Sequence, residues 1–146
     1  MKDSFHVEVK IMELVINRCY GGFNLSPIAV KEYLKRKGKE CFVYICDSNF
    51  NLNKTNIEDA GIFVFYSTED LGETISSEVE YEKSHFVPSD IDRSDKDLVS
   101  IVKEFGNAAS GRFSELKIVE IPDDVDWEVS EYNGMEIIDE KHRSWC

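Results

Sequence analysis

The chain has 146 residues, of which 42% are hydrophobic and 32% are charged. This length and composition fit one globular domain spanning 1–146 and exclude an intrinsically disordered protein. The 29 acidic residues against 17 basic ones give a formal net charge of −12, which repels nucleic-acid phosphates, so we expect no nucleic-acid partner. The apolar runs are too short to span a bilayer and the first residues lack a signal-peptide core, so we expect a cytoplasmic protein without a membrane partner.

The four cysteines lack the spacing of a zinc site or of a redox pair. Cys19, Cys41, Cys46 and Cys146 form no Cys-x-x-Cys motif and no Cys/His ligand pattern. No secretory context supports disulfides. We therefore predict no structural metal and no cofactor, and we interpret Cys41 and Cys46, which lie in an apolar run, as buried thiols.

The first third of the chain has the pattern of strand, helix and strand. Residues 5–19 alternate apolar and polar side chains and then become continuously apolar, which predicts one long strand or two short ones. Ser26 as N-cap and Pro27 at the first helical position predict a helix over 27–37. Residues 41–46 predict the next strand, and this order favours a right-handed crossover between parallel strands.

The middle of the chain is more polar. Residues 47–59 are rich in asparagine and predict a loop, and residues 61–66 predict a third strand. Residues 69–94 are acidic and show no strong periodic pattern. We predict that they form a long loop or arm within the domain, serving as a lid, a partner-binding arm or an oligomer contact.

The last third predicts a helix followed by strands. A helix over 95–109 has a capping side chain at its start and apolar residues at helical spacing. Residues 115–121 and 125–132 alternate as strands do, and Asn133-Gly134 favours a hairpin, so 135–141 is predicted as the returning strand rather than a short helix. Together these elements predict an α/β fold, a single domain with a mixed sheet of five or six strands and two main helices.

The segment between the first strand and the first helix carries five candidate ligand-binding residues: Arg18, Tyr20, Gly21, Gly22 and Phe23. Glycines between a strand end and a helix start can expose backbone N–H groups to an anion, an arginine suits phosphate or carboxylate, and rings stack on a base. Each has an alternative interpretation, namely a tight turn of positive φ for the glycines, a salt bridge for Arg18 and a hydrophobic staple for Phe23. The lysine and the third glycine of the known phosphate-binding loops are missing.

The C-terminal tail adds His142, Arg143 and Trp145 as candidate ligand-binding residues. Tails are normally polar, so we expect Trp145 to pack against the fold or a neighbouring subunit and to give His142 and Arg143 a defined place; simple anchoring of the last element is the alternative. We predict that this tail approaches the glycine turn, within a subunit or across an interface. Cys19 would need a base such as His142 to act as a nucleophile, and we predict no catalytic residue.

Two motifs resemble a family of small phage-encoded proteins. They are Arg-Cys-Tyr-Gly-Gly-Phe-x-Leu-Ser at 18–26 and His-Arg-x-Trp at 142–145, accompanied by the stretches 121–128 and 131–134. The resemblance covers both ends of the chain. It implies a context, a phage protein acting in the cytoplasm of a bacterial host, rather than a chemistry.

Motif and context together predict a small-ligand-binding protein. Phages encode small oligomeric proteins that act as sponges for nucleotide signals of bacterial immunity. Such a sponge needs arginines, rings and backbone amides but no catalytic triad. We expect the partners to be a phosphorylated or nucleotide-like ligand and further copies of the chain. The alternatives are a small nucleotide-processing enzyme, using Cys19 or His142, and an acidic protein-binding inhibitor of a host factor.

Overall fold

The computed structural model describes residues 10–61, 63–75 and 78–141. Within these ranges the chain is α/β, as predicted, and its two longest helices lie where the sequence placed them. The helices are α1 (Pro27–Arg36), α2 (Glu78–Ser84) and α3 (Lys96–Phe105). The strands are β1 (Ile11–Asn17), β2 (Phe42–Cys46), β3 (Leu52–Thr55), β4 (Val64–Ser67), β5 (Thr74–Ile75), β6 (His85–Phe86), β7 (Leu116–Pro122), β8 (Trp127–Tyr132) and β9 (Met135–Glu140). No helix in these ranges is both long and apolar enough to cross a membrane.

Strand β1 pairs with β7 in a two-stranded ribbon, with Ile11 opposite Pro122 and Asn17 opposite Leu116. Every strand pair in the described ranges is antiparallel, and β1 and β2 belong to different sheets. The predicted parallel crossover is therefore wrong. The continuously apolar run 14–16 is buried on both faces of an antiparallel ribbon, a pattern that resembles a parallel strand in sequence.

Both main helices begin at the predicted caps. The Ser26 hydroxyl accepts a hydrogen bond from the Ala29 backbone N–H, and the Asp95 carboxylate accepts from the first backbone N–H groups of α3. These bonds satisfy donors that have no partner inside the helix. Helix α3 ends earlier than predicted, at Phe105, and Gly106–Ala109 continues as a 3₁₀ turn.

A five-stranded sheet has the strand order β5-β3-β2-β4-β6, which confirms the predicted strand number. Two loop predictions are wrong in part. Strand β3 lies inside the predicted loop 47–59, and the predicted arm 69–94 supplies both edge strands, β5 and β6, together with α2. These strands have two to four residues, too few for an alternating pattern to show, and pairing with their neighbours determines their conformation.

One cluster of buried side chains joins these elements. Helices α1 and α3 pack on each other, and α3 contacts the β1–β7 ribbon. The cluster includes Val15 and Leu116 from the ribbon and Val43 and Tyr66 from the five-stranded sheet. Removing this apolar surface from water stabilises the fold and fixes the end of β1 at Asn17, where the glycine turn begins.

The two cysteines of the predicted strand 41–46 differ in exposure, and Cys41 lies just before β2. Cys41 is half-buried against the core, and burial raises the pKa of its thiol to about 11. Cys46 is exposed, so the prediction of a buried thiol is wrong there. Cys46 is the last residue of β2, and the strand becomes exposed at this end.

Candidate functional site

A buried asparagine connects the glycine turn to two distant segments. Asn17 is fully buried, and its side-chain N–H groups donate to the carbonyls of Cys19, at 2.7 Å, and of Gly134, at 2.8 Å. Its side-chain oxygen accepts from the backbone N–H groups of Cys19 and Glu115. The amide thus uses all four of its hydrogen-bonding positions. It joins the turn to the β8–β9 hairpin and to the residue before β7.

A buried ion pair lies beside Asn17. The Arg93 guanidinium and the Glu136 carboxylate are paired through both of their ends, with Nη2 2.9 Å from Oε2. Glu136, 3% exposed, also accepts from the backbone N–H of Asn17 at 2.9 Å. A bidentate, charge-assisted pair of this kind is strong and geometrically specific. It connects the loop before α3 to β9 and β1.

Phe23 belongs to this buried junction. The Arg93 guanidinium carbon lies 3.7 Å from the centre of the Phe23 ring, a cation–π geometry, and Phe23 is 9% exposed. One face of the ring is therefore covered from inside the protein. This placement agrees with the packing role that was the alternative to ligand stacking for Phe23.

The two turn glycines lie directly against the hairpin turn. The Gly21 N–H donates to the Asn133 carbonyl at 3.2 Å. A Cβ atom on Gly134 would lie 2.3 Å from the Gly22 nitrogen, and one on Gly21 would lie 2.5 Å from the Phe113 carbonyl oxygen. Backbones approach here more closely than any side chain allows. The Gly21 amide, proposed from sequence as an anion contact, is thus engaged by a carbonyl of the hairpin.

Arg18 contacts the same hairpin through one nitrogen of its side chain. Its Nη1 donates to the Glu136 carbonyl oxygen at 2.8 Å, and the residue is half-buried. Within the described ranges no contact involves its Nε or Nη2 groups. The alternative interpretation of Arg18, a salt bridge to an acidic side chain, has no counterpart among the ion pairs of these residues, and the guanidinium retains donors that could bind an anion.

Three exposed aromatic rings and a second arginine surround the glycine turn. Tyr20 is 59% exposed, Phe113 61% and Tyr132 73%, and each is carried by one of the segments that meet at Gly21 and Gly134. Phe113 has a φ of 64°, which is unusual for a bulky residue, and the Arg112 guanidinium lies 5.5 Å from its ring centre. We call Arg18, Tyr20, Arg112, Phe113 and Tyr132 the aromatic rim.

A cleft opens beside this rim. It has a volume of about 410 Å³ and lies between the start of α1, the 110–112 segment and β4, with Ser26, Phe63 and Arg112 among its lining residues. A second cleft of about 260 Å³ continues along β4 from Phe23 and Asn24. The volume of the first cleft lies in the range of small-molecule binding sites, whereas that of the second lies below it.

Cys19 has no described contact with a base. Its backbone N–H contacts Asn17, and its Sγ donates to the Tyr20 carbonyl at 3.5 Å. His85, the one histidine in the described ranges, lies in β6 and contacts the Glu82 carbonyl and the Tyr81 ring. These ranges also contain no group of three His, Cys, Asp or Glu side chains arranged to hold a metal ion.

The predicted tail residues His142, Arg143 and Trp145 lie outside the described residues. Strand β9 starts at the hairpin turn that contacts Gly21 and runs away from it. At about 3.4 Å per residue, Lys141 lies roughly 20 Å from that turn. The predicted approach of the tail to the glycine turn stays a prediction.

The sequence did not indicate Asn17, Arg93 and Glu136 as site residues. Glu136 lies 119 residues from Asn17 and 43 from Arg93, so no local pattern links them. Comparison with protein-family models, with curated proteins and with solved structures gives no match. The resemblance to small phage proteins therefore stays a prediction, and the candidate site stands on its geometry.

Proposed function

We propose that this protein binds a nucleotide-like or other phosphorylated small molecule at the aromatic rim and does not convert it. In the phage context implied by its motifs, it would act in a bacterial cytoplasm as a sponge for an immune nucleotide signal. The observation that carries the proposal is the grouping of two arginines and three exposed rings on segments held by a buried junction.

Each part of the rim suits one part of such a ligand. The free nitrogens of Arg18 and the exposed guanidinium of Arg112 would bind phosphate oxygens. Tyr20, Phe113 and Tyr132 offer ring faces for a base. The junction beneath keeps the segments in place before binding, which lowers the entropic cost of association.

The acidic character of the chain favours a small ligand over a polynucleotide. A net charge of −12 opposes a long phosphate backbone, whereas two local arginines suffice for one or two phosphates.

Calorimetry with a panel of cyclic dinucleotides and ADP-ribose derivatives tests the proposal. We expect at least one member to bind the wild type, and Arg18→Ala and Arg112→Ala each to weaken binding about tenfold or more, since a charge-assisted bond contributes about 1.5–3 kcal/mol. Lys39→Ala, which removes an exposed cation outside the rim, is the matched control. The proposal is wrong if no member binds, or if the arginine variants fold normally and bind as the wild type does.

The fate of the ligand separates a sponge from an enzyme. A sponge releases its ligand intact after denaturation. Recovery of a converted nucleotide, with conversion abolished by Cys19→Ala, would instead establish the nucleotide-processing alternative.

A mixing experiment tests the proposed homo-oligomer and its tail. If Arg143 acts across a subunit interface, Arg18→Ala and Arg143→Ala subunits bind poorly alone, and a mixed dimer regains one intact site in two. If Arg143 acts within its own subunit, mixing restores nothing. Sedimentation of the wild type measures the oligomeric state directly.

A further inference from the structure

Two clefts meet over strand β4 and form one groove. The cleft of about 410 Å³ at the start of α1 and the neighbouring cleft of about 260 Å³ share four described lining residues, Asn24, Val64, Phe65 and Tyr66. Arg112, a member of the aromatic rim, lines the first cleft. The groove therefore extends from the rim along β4, and a ligand held by Arg112 can reach into it. We call it the β4 groove.

The backbone of Val64 is open toward this groove. The Thr68 N–H donates to the Ser84 carbonyl at 2.9 Å, so the even-numbered residues of β4 direct their backbone groups toward β6. Tyr66 pairs with Phe86 on that side, and β6 ends there. Val64, the next residue to face this side, has no backbone partner within the described ranges.

The chain that follows β6 cannot extend the pairing. By the register of the two strands, Pro88 would be the partner of Val64, but proline has no backbone N–H and a 3₁₀ turn, Pro88–Asp90, begins at this residue. The N–H and C=O of Val64 therefore form a single donor–acceptor pair. Such a pair matches the edge of a nucleobase, which carries adjacent donors and acceptors, whereas the addition of a strand uses several successive residues.

Asn24 adds a second polar group to the groove. Its Oδ1 accepts from the Leu25 N–H at 3.0 Å, and its backbone carbonyl accepts from the Gly111 N–H at 3.1 Å, which holds the residue in place. Its Nδ2 has no contact within the described ranges, so the amide keeps N–H donors for a ligand. Asparagine amides commonly bind the edges of bases through such donors.

The lining of the β4 groove carries no negative charge. Among the described residues, Arg112 is the sole charged residue that lines either cleft, although the chain has 29 acidic residues. Half-buried aromatic rings line it instead. Phe65 is common to both clefts, and Tyr81 contacts it edge-on in the second, with ring centres 6.1 Å apart. An uncharged flat ring with polar edges fits this lining, and a phosphate attached to it would meet Arg112.

We propose that the ligand of the aromatic rim is a dinucleotide, with one base in the β4 groove and the other on the rings of the rim. Its phosphates lie between the two bases, at Arg112 and Arg18. The base in the groove bonds to the Val64 backbone and the Asn24 amide and lies against Phe65. This assignment of the ligand class rests on the proposed function of the rim and adds a second base to it.

Calorimetry on the full chain compares dinucleotides with mononucleotides. The probes are cyclic and linear dinucleotides of adenine, guanine, cytosine and uracil, and the mononucleotides of the same bases. We expect the best dinucleotide to bind about tenfold or more tightly than any mononucleotide, because stacking and hydrogen bonding of a second base add to the affinity. Equal affinities would overturn the two-base proposal and leave the proposed function intact. If no nucleotide binds, both are wrong.

Two variants test the groove itself. Asn24→Asp keeps an oxygen acceptor but removes the free N–H donors, and Tyr81→Leu removes the ring that contacts Phe65. Each should weaken binding of the best dinucleotide about tenfold. Asn56→Asp is the matched control for Asn24→Asp, since Asn56 is exposed, lies outside the groove and likewise accepts from a nearby backbone N–H. Circular dichroism checks that each variant is folded.

Amide hydrogen exchange, measured by NMR, locates the base. The Val64 amide should exchange quickly in the free protein and slowly with the best dinucleotide bound, whereas the Tyr66 amide, which faces β6, stays protected in both. A Val64 amide that is protected before any ligand is added, or unchanged by binding, overturns the proposal.

The variants give a separate way to refute it. If Asn24→Asp and Tyr81→Leu bind the best dinucleotide as the wild type does, while Arg112→Ala binds it more weakly, the ligand occupies the rim but not the groove. Should Tyr81→Leu not fold, Asn24→Asp and the exchange measurement decide.

Discussion

Two clusters of charged side chains hold segments of this protein together, and they differ in exposure. In the junction under the glycine turn, the side chains of Arg93 and Glu136 are 12% and 4% exposed. At the start of α3, Lys37 bridges Asp95 and Asp97 at 3.0 Å and 2.9 Å, with its own side chain 37% exposed. The bond lengths are similar, but water can replace the partners of Lys37 and cannot replace those of Glu136. We therefore expect the same kind of mutation to have very different effects in the two places.

Glu136→Ala should have the largest effect. It leaves the Arg93 guanidinium buried without its counter-charge and removes the acceptor of the Asn17 N–H, so we expect a loss of about 3–5 kcal/mol in the free energy of unfolding. Glu131→Ala, an exposed glutamate directly opposite on β8, is the matched control. Urea denaturation measures both, and equal losses in the two variants would contradict the assignment of the junction.

Gly134→Ala tests the close approach of hairpin and turn. The new Cβ would lie 2.3 Å from the Gly22 nitrogen, at a φ of 89°, and we expect a loss of about 3 kcal/mol. Gly38→Ala also places a side chain at positive φ, but no atom lies within 4 Å, so it should lose only about 1 kcal/mol. Thermal unfolding of the pair isolates the steric contribution, which would be refuted by equal shifts in Tm.

Asp95 belongs to the exposed cluster but also caps α3. Asp95→Ala should lose about 1 kcal/mol because the backbone N–H groups of Asp97 and Leu98 lose their acceptor. Asp95→Asn keeps a capping oxygen and should lose less. Urea denaturation of the wild type, Asp95→Ala and Asp95→Asn separates the contribution of the capping hydrogen bonds from that of the negative charge.

The charge of Asp95 predicts a pH dependence. Partial burial would raise the pKa of this carboxyl, but donors from Lys37, Leu98 and Tyr33 outweigh it and hold the pKa below its usual range. A lowered pKa in the folded state means that the stabilisation is present above the unfolded value of about 3.9 and is lost as pH falls through the folded value. The stability difference between wild type and Asp95→Asn should therefore shrink in acid. A constant difference down to the acid transition would show that charge contributes nothing.

Lys37→Ala should have the smallest effect, less than about 1 kcal/mol, because both ion pairs are partly solvated. Added salt should reduce even this difference, whereas it should leave the Glu136→Ala effect nearly unchanged. Urea denaturation of both variants at low and high salt measures how the two losses in the free energy of unfolding change with salt. A Lys37 effect as large as that of Glu136 would remove the distinction between the clusters.

Local signals in the sequence predicted the two main helices, α1 and α3, and the hairpin well. Ser26-Pro27, Asp95 and Asn133-Gly134 act on neighbouring backbone, so their consequences can be predicted from a few residues. The partners of Asn17 could not be predicted, because they come from positions that only the tertiary fold brings together. The short strands β3, β5 and β6 were missed for a related reason, since pairing rather than propensity forms them. At the candidate site, the sequence placed Arg18 and Tyr20 at the glycine turn but did not indicate Arg112, Phe113 or Tyr132.

The long-range contacts at the end of β1 also affect how the chain folds. The contacts of Asn17 with Glu136, Gly134 and Glu115 span 119, 117 and 98 residues of sequence. Contacts of such long range require closure of a large loop before they stabilise anything, and domains rich in them fold slowly. During synthesis, β1 leaves the ribosome long before β7 and the hairpin exist. Until those segments are made, its apolar run 14–16 lacks the partners that bury it in the folded state, and exposed apolar surface of this kind promotes aggregation.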